Sequence, residues 1–428
     1  MKSQSFPLTG SADRASDARQ VLVALVCFFI LSVDGFDTAS IAFVAPTLAM
    51  QWHVSPSALT PAFVMTSVGA VVGYVISGHV VSRLGQRNAI MATTLAFGIC
   101  SFVSPFASSV ATMSLLRFMT AVCLGCAVPA TIACAAASTS KRNRPAVTIA
   151  VTTGLSVGTA VGGILATFLL TYASWGAVFL AGGAGSVILA PLVALAIRNP
   201  AVRSDASHQG VDSVGPIERP GVRLVFRNNL AIPTMLIWAI AFFAFLVTYQ
   251  FLFWLPTLLV AYGFEPSRAS LGSTACALGG ITGSLALIPV VRRFGVQRLL
   301  IVMACVALVC IGLLVVGSGN HMVILLLIAG VGAGAASNCV GQTTLAVVTY
   351  PSALRTAGVG YASAAGRIGA IVGPAAGGLL LSFGLQAKHI VLLACVPIAL
   401  VILLLAIFDK KQRKSERGQS GGVNVFAD

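Results

Sequence analysis

Apolar residues run along this chain in stretches of about 20 to 30, each closed by a short polar gap. A hydrocarbon core of roughly 30 Å is crossed by about 20 residues of helix, so stretches of this length predict transmembrane helices. Twelve are expected, over 20–49, 58–81, 88–107, 110–137, 146–172, 174–197, 229–262, 268–291, 298–318, 321–350, 356–384 and 387–408. The runs lack the alternating polarity of barrel strands, which excludes a transmembrane β-barrel. One long polar stretch, 198–228, is rich in Arg, Asp, Ser and Pro and divides six helices from six. The expected organisation is a tail (1–19), a six-helix half (20–197), a central loop (198–228), a second six-helix half (229–408) and a tail (409–428). The fold class is thus all-α, a membrane protein of two pseudo-symmetric halves.

Two echoes support the symmetry. Val80-Val81-Ser82-Arg83-Leu84-Gly85 recurs as Val290-Val291-Arg292-Arg293-Phe294-Gly295, and Gly158 and Gly162 recur as Gly369 and Gly373. Both pairs are offset by about 210 residues, half the chain. Parallel six-helix repeats with a substrate site at their interface are an architecture of secondary transporters.

Composition agrees with a lipid solvent: 57% of the 428 residues are hydrophobic and 9% charged, with a mean hydropathy of +0.96. The net charge of +15 does not mark a nucleic-acid partner, because the basic residues sit in the gaps between apolar runs rather than in an aromatic-interleaved patch. Of the 26 Lys and Arg, 22 fall on the side that holds both tails and the 198–228 loop. The positive-inside rule makes that side cytoplasmic and predicts a multi-pass protein of the cell inner membrane. Met1 to Gln20 is polar and the apolar stretch after it is too long for a signal peptide, so none is expected. The ten cysteines all lie in apolar segments without metal-type spacing and read as packing residues. No metal or cofactor motif and no nucleophile–base set can be assembled, so neither an enzyme nor a cofactor is expected.

A charge near the bilayer centre is costly and calls for a reason. Of the 11 acids, only Asp34 and Asp37 fall inside a helix. Three residues apart, they share one face of helix 1, with Thr38 beside them. The helical rise sets Asp34 about 21 Å in from Gln20, and Arg117 about 10 Å below the outer end of helix 4, so their depths match. Arg367 lies about 16 Å up helix 11, near the midplane. Buried ion pairs seldom add stability on their own account, so a functional role is expected of this set. Burial favours a neutral carboxyl group and a nearby Arg favours the ionised one, so such a carboxylate can exchange protons. Protonation would release an Arg, whose planar fork suits a substrate carboxylate. Tyr249, Trp254, Asn338, Gln342 and Tyr361 are further polar candidates for the pocket, and Pro256 beside Trp254 is a candidate break in helix 7. His79 reads as interfacial, and the glycines of helices 5 and 11 as close-packing sites.

These residues resemble a family. Gly78-His79-Val80-Val81-Ser82-Arg83-Leu84-Gly85-Gln86-Arg87 resembles the loop between helices 2 and 3 of the major facilitator superfamily, and the likeness runs over essentially the whole chain. Asp34-Gly35-Phe36-Asp37-Thr38-Ala39, Trp254-Leu255-Pro256-Thr257-Leu258-Leu259 and Gly366-Arg367-Ile368-Gly369-Ala370-Ile371-Val372-Gly373-Pro374 are similar to motifs of its aromatic acid:proton symporter branch. The resemblance implies uptake of a benzoate-like acid such as 4-hydroxybenzoate or protocatechuate with protons. It implies Asp34 and Asp37 as proton-coupling residues and Arg117 and Arg367 as functional arginines. It also implies Gly78, Ser82, Arg83, Gly85 and Arg87 as a gating loop. Ser82 stands where the superfamily loop carries an acid, so the usual charge relay is incomplete. The expected partners are a small aromatic carboxylate, protons and the lipid bilayer, with the protein acting as a monomer. The rival reading is a proton antiporter exporting drugs or organic cations, against which two buried bases beside two acids argue.

Overall fold

The computed structural model describes residues 9–140, 143–197, 226, 230–316 and 320–422. All regular structure among them is helical: α1 (Thr9–Gln51), α2 (Thr60–Leu84), α3 (Gln86–Val103), α4 (Val110–Ala137), α5 (Arg144–Tyr172), α6 (Gly176–Ala196), α7 (Ala231–Ala261), α8 (Leu271–Phe294), α9 (Val296–Val316), α10 (His321–Thr349), α11 (Ser352–Ser382), α12 (Ala387–Leu393) and α13 (Cys395–Gly422). Among the described residues, 11 helical spans are long and apolar enough to cross a membrane, and a shorter apolar stretch lies at Leu271–Ala286 within α8. α12 and α13 share one span, Ala387–Gln412. Inside hydrocarbon an unpaired backbone group costs several kcal/mol, and helices leave none along their length.

The helix ends follow local chemistry. Ser109 accepts a bond from the Thr112 backbone N–H at the start of α4, and Asn320 does the same for Met322 at the start of α10. Gly85 (φ +76°) separates α2 from α3 and Gly295 (φ +79°) separates α8 from α9, a left-handed turn that glycine adopts without strain. The two turns are the last residues of the repeated loop motif. Pro256 does not break its helix: α7 runs through it to Ala261. Proline removes one backbone bond, whereas a full break in apolar surroundings would strand several.

Contacts divide the described chain into two units, one within 1–41 and 65–204, the other within 42–64 and 205–428. In the first unit, Val26, Cys27, Ile30, Leu31, Cys134 and Val193 form an apolar core. In the second, Ile237, Ile240, Leu300, Leu345, Tyr350 and Leu405 do so. The second unit also contains the end of α1 and the start of α2, where Phe63 stacks on Phe253 at 5.2 Å and meets Trp254 edge-on at 4.8 Å.

The sequence echo extends into helix packing. In the first unit, Gly69 and Gly73 of α2 lie against the Phe118 and Val122 carbonyls of α4. In the second, Gly279 lies against the Ala329 carbonyl and Gly283 against Ala333 on α10. Likewise Gly158 of α5 abuts the Ser32 carbonyl of α1, and Gly369 of α11 the Phe242 carbonyl of α7. In each place a Cβ would strike the neighbouring helix, and small residues that let backbones approach are how membrane helices associate without a hydrophobic drive.

Candidate functional site

In the first unit, α1 and α4 bring a carboxylate and a guanidinium together where water is excluded. Arg117 Nη1 donates to Asp37 Oδ1 at 2.8 Å, with the two side chains 0% and 2% exposed. The same Nη1 lies 3.2 Å from Ser40 Oγ, and Nη2 donates to Ser104 Oγ at 3.1 Å. The Ser40 hydroxyl donates to the Asp37 backbone carbonyl at 2.7 Å, so its lone pairs are turned to the arginine. The Phe179 ring of α6 lies under the guanidinium, 4.7 Å from Cζ, and adds a cation–π contact. Arg117 Nε has no hydrogen-bond partner among the described residues. The arginine is thus gripped by α1, α6 and the short turn Ser104–Phe106 at the end of α3, with a donor to spare.

The match in depth between Arg117 and Asp34 is not how the carboxylate bond is made: Asp37 carries it. Asp34 is also buried, 7% exposed, and Thr38 is half-buried. Sequence reasoning passed over Ser40, Ser104 and Phe179. Ser40 carried a signal, since three residues after Asp37 is the same helix face.

In the second unit, Arg367 of α11 donates from Nη1 to the Tyr249 hydroxyl of α7 at 3.3 Å, and its Cζ lies 6.0 Å from the Phe245 ring. Phe245 and Tyr249 are nearly parallel and stacked at 6.0 Å, and Tyr249 continues to Phe253, tilted, at 6.3 Å. This makes an aromatic ladder along one face of α7, with a guanidinium at one end. Thr248 Oγ1 of α7 and Cys339 Sγ of α10 are 3.1 Å apart. Beside Cys339, the Asn338 amide donates to the Gly334 carbonyl at 2.9 Å, leaving its Oδ1 without a partner among the described residues. Gln342 Oε1, one helical turn on, is in the same condition. Asn338 borders a void of about 20 Å³ with Val247 and Ala307, room for one water. Trp254 is wholly buried, its indole N–H donated to the Pro374 carbonyl at 2.9 Å, and Tyr361 packs near Trp238 at 6.1 Å.

The loop between α2 and α3 is tied down by Gln86, whose amide donates to the Ala130 carbonyl of α4 at 3.0 Å. Gly78 and Arg83 are exposed, and the Ser82 hydroxyl turns back onto the His79 carbonyl at 2.8 Å. Arg87 is half-buried, with its Nε unpartnered among the described residues. The side chains of Arg292 and Arg293, in the second copy of the motif, lie outside the described residues.

The model of the Major Facilitator Superfamily matches residues 27–350, three-quarters of the sequence. The chain belongs to the Major Facilitator Superfamily. It is therefore a membrane transporter by family and not an enzyme. Among curated superfamily members, the chain is 28% identical to a gallate transporter of Pseudomonas putida, over 87% of this chain and 88% of that one. It is 27% identical to the 4-hydroxybenzoate transporter PcaK of Pseudomonas aeruginosa, over 88% and 90%. Among solved superfamily folds, the nucleoside transporter NupG superposes with a TM-score of 0.73 at 12% identity, over 91% of this chain and 99% of that one. This last likeness shows the fold alone.

Proposed function

We propose that this protein imports a small aromatic carboxylate together with protons, by alternating access across the cell inner membrane, with both termini cytoplasmic. The observation that carries the reading is the Asp37–Arg117 pair, a carboxylate and a guanidinium bonded at 2.8 Å and sealed from water. Burying two charges is expensive, and their attraction seldom offsets it as stability alone. In a transporter the same pair works as a proton-gated lock. A proton on Asp37 cancels its charge and weakens its hold on Arg117 Nη1. The guanidinium, kept in place by Ser40, Ser104 and Phe179, then offers its fork to a substrate carboxylate. Proton and anion favour each other's binding, and by linkage the effect is reciprocal. Asp34, one turn earlier on the same helix, is the second proton-coupling residue.

In the second unit Arg367 supplies a fork of its own, and the half-buried Phe245 and Tyr249 rings beside it offer π-faces on which an aromatic ring can stack at offset geometry. Thr38 in the first unit, and Asn338, Gln342, Tyr361 and Trp254 in the second, are the further candidates for substrate contact, and Gly78, Ser82, Arg83, Gly85 and Arg87 form the cytoplasmic gate. The named substrates of the curated relatives, gallate and 4-hydroxybenzoate, are aromatic acids and support this choice over a cationic cargo.

The test is uptake of radiolabelled 4-hydroxybenzoate, protocatechuate and gallate into proteoliposomes under an inward proton gradient. Accumulation that collapses with a protonophore and in Asp37→Asn is the expected result. Accumulation that survives the protonophore removes the proton coupling. Failure of every aromatic acid, with gradient-driven movement of cationic dyes, removes the substrate class.

A further inference from the structure

The first unit carries a crevice of about 380 Å³ between α1, α5 and α6. Small residues line it on two sides, Gly158 and Gly162 on α5 and Gly182 and Gly185 on α6. Phe36 of α1 forms part of the lining, and the exposed side chains Phe29, Val161 and Ile188 stand at its mouth. Ser32 is the one hydroxyl in the lining, and its proton is already donated to the Phe28 carbonyl at 2.9 Å.

We propose that this crevice is a binding site for the acyl chain of a bilayer lipid. Three observations select that occupant. The lining residues 28–36, 157–165 and 181–189 lie close to the middle of their spans, Arg19–Gln51, Val147–Tyr172 and Gly176–Ala196. The mouth is therefore about 15 Å from either interface, a depth that acyl tails reach and headgroups do not. The walls present no free donor or charge, so a polar ligand would lose its hydration with nothing in exchange. The mouth continues the exposed apolar surface of α1, α5 and α6, so the crevice is open to the hydrocarbon that surrounds a transporter. A chain seated there packs on Val33 and Phe36, on either side of Asp34 and next to Asp37. The acidic segment of α1 would thus have lipid at its back.

The test uses the full protein in nanodiscs containing phosphatidylcholine with a photoactivatable diazirine near the end of one acyl chain. Labelled peptides are mapped after illumination. Adducts several-fold enriched on 157–165 and 181–189, relative to the exposed face of α9 around Val302 and Val309, are expected. A probe with the diazirine near the headgroup should lose that enrichment. Gly185→Phe should lower labelling of the crevice to that of α9, because a Cβ at Gly185 meets only Val33, at 3.5 Å, and its ring can fill the space. Uniform labelling by the tail-end probe, or equal enrichment with both probes, would overturn the proposal whether or not the variant folds. Neither readout depends on which substrate is carried.

Discussion

At the scale of single residues, the Asp37–Arg117 pair makes a prediction that separates a true couple from two independent buried groups. Arg117→Gln leaves a carboxylate without its counter-charge in a site that water does not reach, and should destabilise the protein by about 3–5 kcal/mol. Asp37→Asn keeps an acceptor for Nη1 but strands the positive charge, and should fall in the same direction. Combined with Arg117→Gln, Asp37→Asn should lose markedly less than the sum of the single losses, because neither charge is then orphaned. Thermal unfolding of the four proteins in one detergent reads this directly, and strict additivity would show the pair to be energetically uncoupled. Much of this site was legible in the sequence, since only two acids and two bases fall well inside the apolar runs, away from their ends. The partner within the pair was not. A rise of 1.5 Å per residue fixes depth, and the three residues from Asp34 to Asp37 differ by only about 4.5 Å, within reach of a long arginine side chain. Choosing between them takes the rotation of α1 against α4, which depends on side chains elsewhere. Phe179 was invisible for a related reason: it arrives from α6 by packing, and no spacing in the chain announces it.

At the scale of helices, the internal repeat is a packing pattern as well as a sequence pattern. Gly73 and Gly283 occupy matching places against α4 and α10, each where an added methyl group meets the opposing helix. Gly73→Ala and Gly283→Ala should each lower stability by about 1–3 kcal/mol through overpacking. Gly78, five residues from Gly73 on the same helix, has nothing within 4 Å of a Cβ, and Gly78→Ala should be neutral or slightly stabilising. Melting temperatures of the three variants decide it, and a loss at Gly78 equal to that at Gly73 would show that overpacking does not set the cost, since helix propensity favours alanine at all three sites. Helix existence was legible because a bilayer imposes one length and one polarity on every span. The repeated turn was legible through Gly85 and Gly295, whose left-handed backbone only glycine adopts readily. The continuity of α7 through Pro256 was not, because local preference says that proline interrupts, while the apolar surroundings penalise an interruption more.

At the scale of the whole molecule, orientation in the membrane rests on charge. The positive-inside bias counts Lys and Arg in short loops and near helix ends, and acidic residues contribute little to it. Here the asymmetry is spread along the chain: Arg83 at the end of α2, Arg87 at the start of α3, Arg144 at the start of α5, Arg298 in α9, and Lys410 and Lys411 in the last helix. In the proposed six-plus-six order only Arg268 and Lys388 fall on the opposite side. A bias distributed in this way resists inversion by any local change, since each hairpin carries its own vote. Reporter fusions placed after Arg144, within 198–228 and at the C-terminal tail should therefore all report the cytoplasm, and fusions beside Glu265 and Lys388 the opposite side. Removing the positive charges at 410, 411, 413, 414 and 417 together should leave that pattern unchanged, because the earlier loops already fix each helix before the last one is inserted. A tail fusion that switched sides in this variant would show that the C-terminal charges set the orientation. A fusion beside Lys388 that reported the cytoplasm in the unaltered chain would place an even number of spans before it, and so remove the six-plus-six arrangement on which the proposed import rests.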